Sequence, residues 1–156
     1  MFEIKLDNLL GKEIVFLLDE HLNDMRATSP PESIHALDLA KLKDPSVQFW
    51  TIWKGRCLAG CGAIKSLDGA HGEIKSMRTA NNFQKQGVGS ILLIYMLKEA
   101  RLLGYKKLSL ETGTMDFFKP AHNLYEKYGF KDCAPFGDYS EDPYSKFMTL
   151  DLRDKV

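Results

Sequence analysis

The chain carries no surplus of charge: 21 Lys and Arg balance 21 Asp and Glu. Nucleic-acid binders need a basic face, and here the cations Lys75, Arg78, Lys85, Lys98, Arg101, Lys106 and Lys107 form no continuous run, so no nucleic-acid partner is expected. Cysteine is scarce. Cys57, Cys61 and Cys133 make an odd count at no metal-ligand spacing, which reads as reduced thiols rather than a disulfide framework. No apolar window approaches 18 residues without charge, so no membrane span is expected. Met1-Phe2-Glu3-Ile4-Lys5 lacks the basic-then-apolar order of a secretory signal, and a cytoplasmic location is expected. There is no Gly-x-Ser-x-Gly nucleophile elbow, no Lys-Ser/Thr of a phosphate-binding P-loop, and no histidine near Cys133. His35 and His71 have no second ligand at a plausible spacing, so no metal is expected. Internal repeats and low-complexity stretches are also missing.

What remains is an ordinary globular composition, 44% hydrophobic and 27% charged over 156 residues. That length suits one domain, 1–156, with a sizeable single core. Phe2, Ile4 and Leu6 alternate with polar residues as in a short strand. Asn8 to Arg26 has helical spacing, with Leu10, Ile14, Leu17, Leu18 and Leu22 inward, until Ser29-Pro30-Pro31 breaks it. A second helix is expected from Pro31 to Leu42, with Ile34, Leu37 and Leu42 inward. Val47–Trp53, Cys57–Leu67 and Glu73–Thr79, separated by Gly-containing turns, read as an antiparallel meander.

A helix over Val88–Leu103 follows, with Val88, Ile91, Leu92, Tyr95, Leu102 and Leu103 expected inside and Gly104 ending it. Lys107–Thr112 is a further strand. Ala121, Leu124, Tyr125 and Tyr128 then share one helix face, up to Gly129. Two late strands, near Phe130–Cys133 and Lys146–Leu152, flank a loop rich in Asp, Pro and Tyr. Strand, helix and strand after a meander imply an α/β (α+β) mixed sheet with helices on both faces. Ligands of such sheets bind beyond strand ends, where connections diverge.

Gln84-Lys85-Gln86-Gly87-Val88-Gly89-Ser90 joins a strand to a helix. Glycines there permit close backbone approach, and the helix start presents unpaired N–H groups with a positive dipole end. The combination is an anion site suited to phosphate or pyrophosphate.

These residues resemble the GCN5-related N-acetyltransferase superfamily. Its central motif, Arg or Gln, two residues, Gly, one residue, Gly or Ala, stands here as Gln84, Gly87 and Gly89. A companion motif stands as Leu124-Tyr125-Glu126-Lys127-Tyr128-Gly129-Phe130. The C-terminal half is also similar to a bacterial subgroup of small acetyltransferases, the YsnE-like proteins. The resemblance implies a mostly antiparallel sheet of about seven strands flanked by about four helices, and acetyl-CoA as acetyl donor. It implies that Gln84, Lys85, Gln86, Gly87, Val88, Gly89 and Ser90 hold the pyrophosphate, while the strand residues Met77, Arg78 and Thr79 meet the pantetheine arm. Tyr125 matches the family tyrosine that protonates or stabilises the leaving thiolate, and Glu73 the glutamate used as general base in one branch. Glu111 is a rival base. Many members place Asn where Phe118 stands, and Gln84 replaces the commoner Arg.

The activity implied is N-acetyl transfer to the primary amine of a small molecule by direct attack. A non-catalytic acyl-CoA sensor or interaction module on the same fold, and a protein N-acetyltransferase, are the alternatives. Exposed strand edges and aromatics are compatible with a homodimer. Pro135 to Ser145 mixes aromatic, acidic and hydroxyl groups suited either to a small cationic acceptor or to an ordinary turn.

Overall fold

A computed structural model of the chain describes residues 1–31 and 39–153. Seven strands run β1 (Phe2–Leu6), β2 (Val47–Lys54), β3 (Cys57–Ser66), β4 (His71–Thr79), β5 (Lys107–Gly113), β6 (Lys131–Asp132) and β7 (Ser145–Asp151). Helices are α1 (Lys12–Thr28), α2 (Leu39–Leu42), α3 (Val88–Leu102) and α4 (Lys119–Lys127). One sheet takes the order β1-β2-β3-β4-β5-β7-β6. All its pairings are antiparallel except β4 with β5. The crossover between those two is α3, as a parallel pair requires.

The sheet has an apolar layer on each face. Trp50, Ile52, Ile64, Ile74, Leu108, Leu110, Met148 and Leu150 pack with α3 and α4. On the other face Phe49, Cys61 and Ala63 pack with Ile14 and Leu17 of α1 and Leu42 of α2. Strand alternation sends neighbours such as Phe49 and Trp50 to opposite layers.

Three expectations shift. The first helix begins at Lys12 rather than Asn8, because Asp7 and Asn8 turn their side chains onto the N–H groups of Leu9 and Leu10, at 2.7 and 3.1 Å. Such local bonds compete with helix. Leu9, at φ 65°, is consequently the buried residue, 2% exposed, and Leu10 is 72% exposed. Helix α3 buries Val88, Leu92, Leu93, Met96, Leu97 and Ala100, and leaves Ile91, Leu102 and Leu103 outside. The proposed helix Pro31–Leu42 is described only at Leu39–Leu42; Ile34, His35 and Leu37 lie outside the described residues.

The feature that matters most is a divergence. β4 and β5 pair from His71/Lys107 to Ile74/Leu110, and the pairing stops there although both strands continue. On its other edge β4 slips register against β3 between Cys61/Arg78 and Ala63/Lys75. Ser76, inside that slip, sits at φ 57°, a left-handed conformation rare for a residue with a side chain. This bulge turns the last half of β4 away from β5 and opens the sheet.

Gly60 supports the bulge from β3. A Cβ there would lie 2.7 Å from the Arg78 carbonyl oxygen and 3.2 Å from Val88 Cγ1. Gly60→Ala is therefore expected to cost about 1–3 kcal/mol. Gly69→Ala, where nothing lies within 4 Å, should leave the melting temperature unchanged; equal losses in a thermal melt would contradict this account of Gly60.

Candidate active site

Two cavities meet where β4 and β5 part. The larger, about 600 Å³, runs from the splayed half of β4 (Met77, Arg78, Thr79) past Gln84, Lys85, Gly87, Val88, Gly89 and Ser90 to α4. The smaller, about 110 Å³, lies between Glu73, Lys75, Glu111, Thr112 and Met25. His21, Met77, Phe118, Ala121 and Tyr125 line both, so the two spaces join beside them.

The larger groove ends at the loop that starts α3. Lys85 and Gly87 in that loop are both left-handed, at φ 63° and 80°, and successive backbone N–H groups in such turns can form an anion-binding concavity. Gly87 is the N-cap of α3 and offers no side-chain cap, and the first helical bond is Ile91 N–H to the Gly87 carbonyl at 3.0 Å. The N–H groups of Val88, Gly89 and Ser90 thus open the helix uncapped. The two glycines serve different ends. Gly87 supplies the turn, whereas a Cβ on Gly89 would press 3.2 Å from Leu124, so Gly89 lets α3 and α4 approach. Gln84 and Gln86 fold back onto Asn81 Oδ1 and the Asn82 carbonyl, at 3.4 and 3.3 Å, which leaves the nest to backbone and Lys85.

Arg78 lines the groove with its side chain turned away. Its guanidinium is committed to α1, 2.6 Å from Glu20 and 2.7 Å from Asp24, and only 7% exposed. Any contact it makes with a ligand in the groove falls to its backbone. The clamp ties α1 to the diverging half of β4. It also holds His21 at the junction, with Leu17, His21 and Met25 at successive i+4 positions along the helix.

The motif reading passes over His21; the signal for it is one imidazole on an otherwise apolar stripe. Burial and the adjacent Arg78 charge lower its pKa to about 4, so the ring is neutral at pH 7. Tyr125 is 5% exposed and packs edge-on to Phe130. Burial pushes its phenol pKa up, and the hydroxyl stays protonated. Phe118, where the family often has Asn, lays its ring against Gly113, where a Cβ would lie 2.2 Å from the ring.

The smaller cavity is charged. Glu73, 3% exposed, accepts from the Tyr139 hydroxyl at 2.6 Å and from Lys75 Nζ at 3.2 Å. Lys75 also reaches the Tyr139 oxygen at 2.9 Å. Glu111 accepts from Ser145 Oγ at 2.8 Å. Burial raises its carboxyl to about 7, against the Ser145 bond and the Lys75 charge. The loop from Cys133 to Tyr144 is packed down by rings, Phe136 on Tyr139 and both on Phe147, with centroids 5.2–5.9 Å apart. Through Tyr139 this roof loop is fastened to Glu73 and Lys75. His71 stands apart, bound to Ser109 Oγ at 2.7 Å as a link between strands. Among the described residues, no group of three His, Cys, Asp or Glu side chains is placed to hold a metal ion.

The arrangement offers an N–H nest for an anion, a cleft for an extended chain along β4, a protonated phenol at the junction and carboxylates beyond it. Comparison with known proteins identifies the family. The family model described as "Acetyltransferase (GNAT) family" matches residues 14–130. The uncharacterized N-acetyltransferase YsnE of Bacillus subtilis is 54% identical over 149 residues, 96% of this chain and 99% of that one. The uncharacterized N-acetyltransferase YedL of Escherichia coli is 50% identical, covering 97% of this chain and 96% of its own. A solved structure of a candidate acyl-CoA N-acyltransferase from Klebsiella pneumoniae superposes with a TM-score of 0.82 at 28% identity, covering 97% of this chain and 98% of that one.

Between pH 6.5 and about 4 the unfolded chain binds a proton at His21 more readily than the folded one. Stability should therefore fall as pH drops through that window. His21→Gln is expected to lose less melting temperature than the parent between those two pH values. Equal losses would show that the imidazole is solvated.

Proposed function

The chain belongs to the acetyltransferase (GNAT) family, and on that premise we propose that it moves an acetyl group from acetyl-CoA to the primary amine of a small molecule by direct attack. The observation that carries this reading is the meeting of the two cavities at Tyr125. The groove fits the donor: it holds about 600 Å³, it is bounded by a strand edge free of β5, and it reaches the uncapped start of α3. Val88, Gly89, Ser90 and Lys85 would take the pyrophosphate. The β5-facing edge of β4 near Met77 and Thr79 would take the amide-bearing arm as an added strand takes its neighbour. When bound, acetyl-CoA supplies an acyl group activated as a thioester.

The protein's own contribution is placement and charge. Fixing amine and acyl carbon in two adjoining cavities turns a bimolecular encounter into a local one. Tyr125 is a weaker acid than a thiol once burial has raised it. It would thus hold the leaving sulfur by an O–H···S bond rather than surrender its proton outright. The small volume beyond Tyr125, about 110 Å³, favours a compact acceptor over a polypeptide side chain in an open groove. The carboxylates Glu73 and Glu111 favour a cation there, and one of them would receive its proton.

Thiol release measured across a panel of small amines, with acetyl-CoA as donor, should find at least one acceptor. Release only with peptides or proteins would replace this reading with protein acetylation, and none with any acceptor would leave a sensor. With an acceptor in hand, Tyr125→Phe should lower kcat by about 10²-fold. KM for acetyl-CoA should stay within a few fold; an equal loss in both would remove Tyr125 from the reacting centre.

A further inference from the structure

Two carboxylates face the same small cavity, and their surroundings differ. Glu73 is enclosed by bonds: its Oε2 takes both the Tyr139 hydroxyl and the Lys75 ammonium. That three-way contact also fastens the roof loop to β4. Freeing Glu73 to accept and release a proton would loosen the loop on every cycle. Glu111 accepts one side-chain hydrogen bond, from Ser145, itself anchored on β7 by pairing with Gly113. Glu111 stands on β5 at the first position past the last paired residue, Leu110, so its side chain lies at the mouth of the divergence.

We propose that Glu111 is the base that takes the proton from the acceptor's ammonium group, while Glu73, Lys75 and Tyr139 form the fixed wall opposite. This rests on the acetyl-transfer reading above. One proton passes from R–NH3+ to a Glu111 oxygen. The freed lone pair makes the C–N bond as the C–S bond breaks with its electrons to sulfur. The remaining surplus N–H proton ends on sulfur, and Glu111 returns its own to solvent, so one proton is released per turnover.

The electrostatics agree with this division. Glu111 is faced by Lys75 and Glu73 from β4, Asp142 and Tyr139 from the roof loop, Ser145 from β7, His21 from α1 and Tyr125 from α4. Of these, Lys75 and Ser145 favour its charged form; Glu73 and Asp142 oppose it, and burial opposes it most. The resulting rise from 4.5 to about 7 makes proton capture from an alkylammonium about 300-fold more favourable than for an ordinary glutamate. A base near the working pH is also the more efficient one.

The test is a carboxyl titration by carbon NMR on glutamate-labelled protein with neither substrate present, joined to pH–rate profiles. One carboxyl should titrate near pH 7 in the parent and be missing from Glu111→Gln. In Ser145→Ala, which removes a bond that favours the charged form, it should titrate higher. The rising limb of kcat/KM for the acceptor should have the same midpoint, move up in Ser145→Ala and vanish in Glu111→Gln with a loss in kcat of about 10²-fold or more. Glu73→Gln should keep a limb whatever its rate and melt at lower temperature. A Glu111 carboxyl in the ordinary range, a limb that survives Glu111→Gln, or one lost only in Glu73→Gln overturns the proposal. The titration is read without donor or acceptor, so its failure is distinct from a failure of thiol release, which would overturn the acetyl-transfer reading itself.

Discussion

The parting of β4 from β5 after Ile74 and Leu110 is the constraint on which everything else depends. A parallel pair normally continues to the strand ends, because backbone N–H and C=O groups left without partners cost free energy. Here the bulge at Ser76 turns one strand away, and the β5-facing edge from Lys75 onward is left to other partners. The same turn makes room for α4 to bring Tyr125 up to the gap. The proposed binding groove and reaction centre thus both trace to one register slip. Its cost is carried by the packed surroundings, with Cys61 Sγ 3.2 Å from the Ser76 carbonyl and Gly60 tight beneath Arg78.

The second determinant is how charge is divided across the gap. In the proposed donor groove the attraction for phosphate would come from backbone N–H groups and Lys85, since the buried guanidinium of Arg78 is paired with Glu20 and Asp24. That pairing keeps α1 seated and leaves no free guanidinium at the junction, where His21 is uncharged and Cys61 is pushed up to about 12. Beyond Tyr125 stand Glu111 and Glu73, the latter paired with Lys75. Carboxylates on that side and N–H groups with Lys85 on the other would draw a cationic acceptor and an anionic donor each to its own side.

Much of this was legible in the sequence, for identifiable reasons. The strand, glycine loop and helix over His71–Leu102 announce themselves through a change of period and two glycines. The Leu124–Phe130 segment places Tyr125 on a helix stripe of which the structure buries Tyr125 and half-buries Ala121, Leu124 and Tyr128. The resemblance to the acetyltransferase superfamily, read from those two segments, is upheld by the family match and by relatives at 50–54% identity. Less legible was which side of α3 faces inward: Val88 to Leu97 is apolar on all sides, so periodicity could not separate Ile91 from Leu93. The start of α1 was placed too early, at Asn8, because the apolar spacing that includes Leu10 does not show the Asp7 and Asn8 side chains bonding the N–H groups of Leu9 and Leu10. Glu73 and Glu111 were singled out from the sequence, but their surroundings were not: Arg78 to Glu20, Lys75 to Tyr139 and Tyr139 to Glu73 span 58, 64 and 66 positions, and no local pattern encodes such pairs.

The central claim is that the divergence of β4 and the open start of α3 form the donor groove. An amide-resolved NMR titration with free coenzyme A tests it most directly. The account predicts the largest shifts at the N–H groups of Val88, Gly89 and Ser90 and along Met77–Thr79. Shifts concentrated instead around Phe16, Cys57 and Asn82, which line a separate hollow of about 580 Å³, or no shifts in the folded protein, would contradict it.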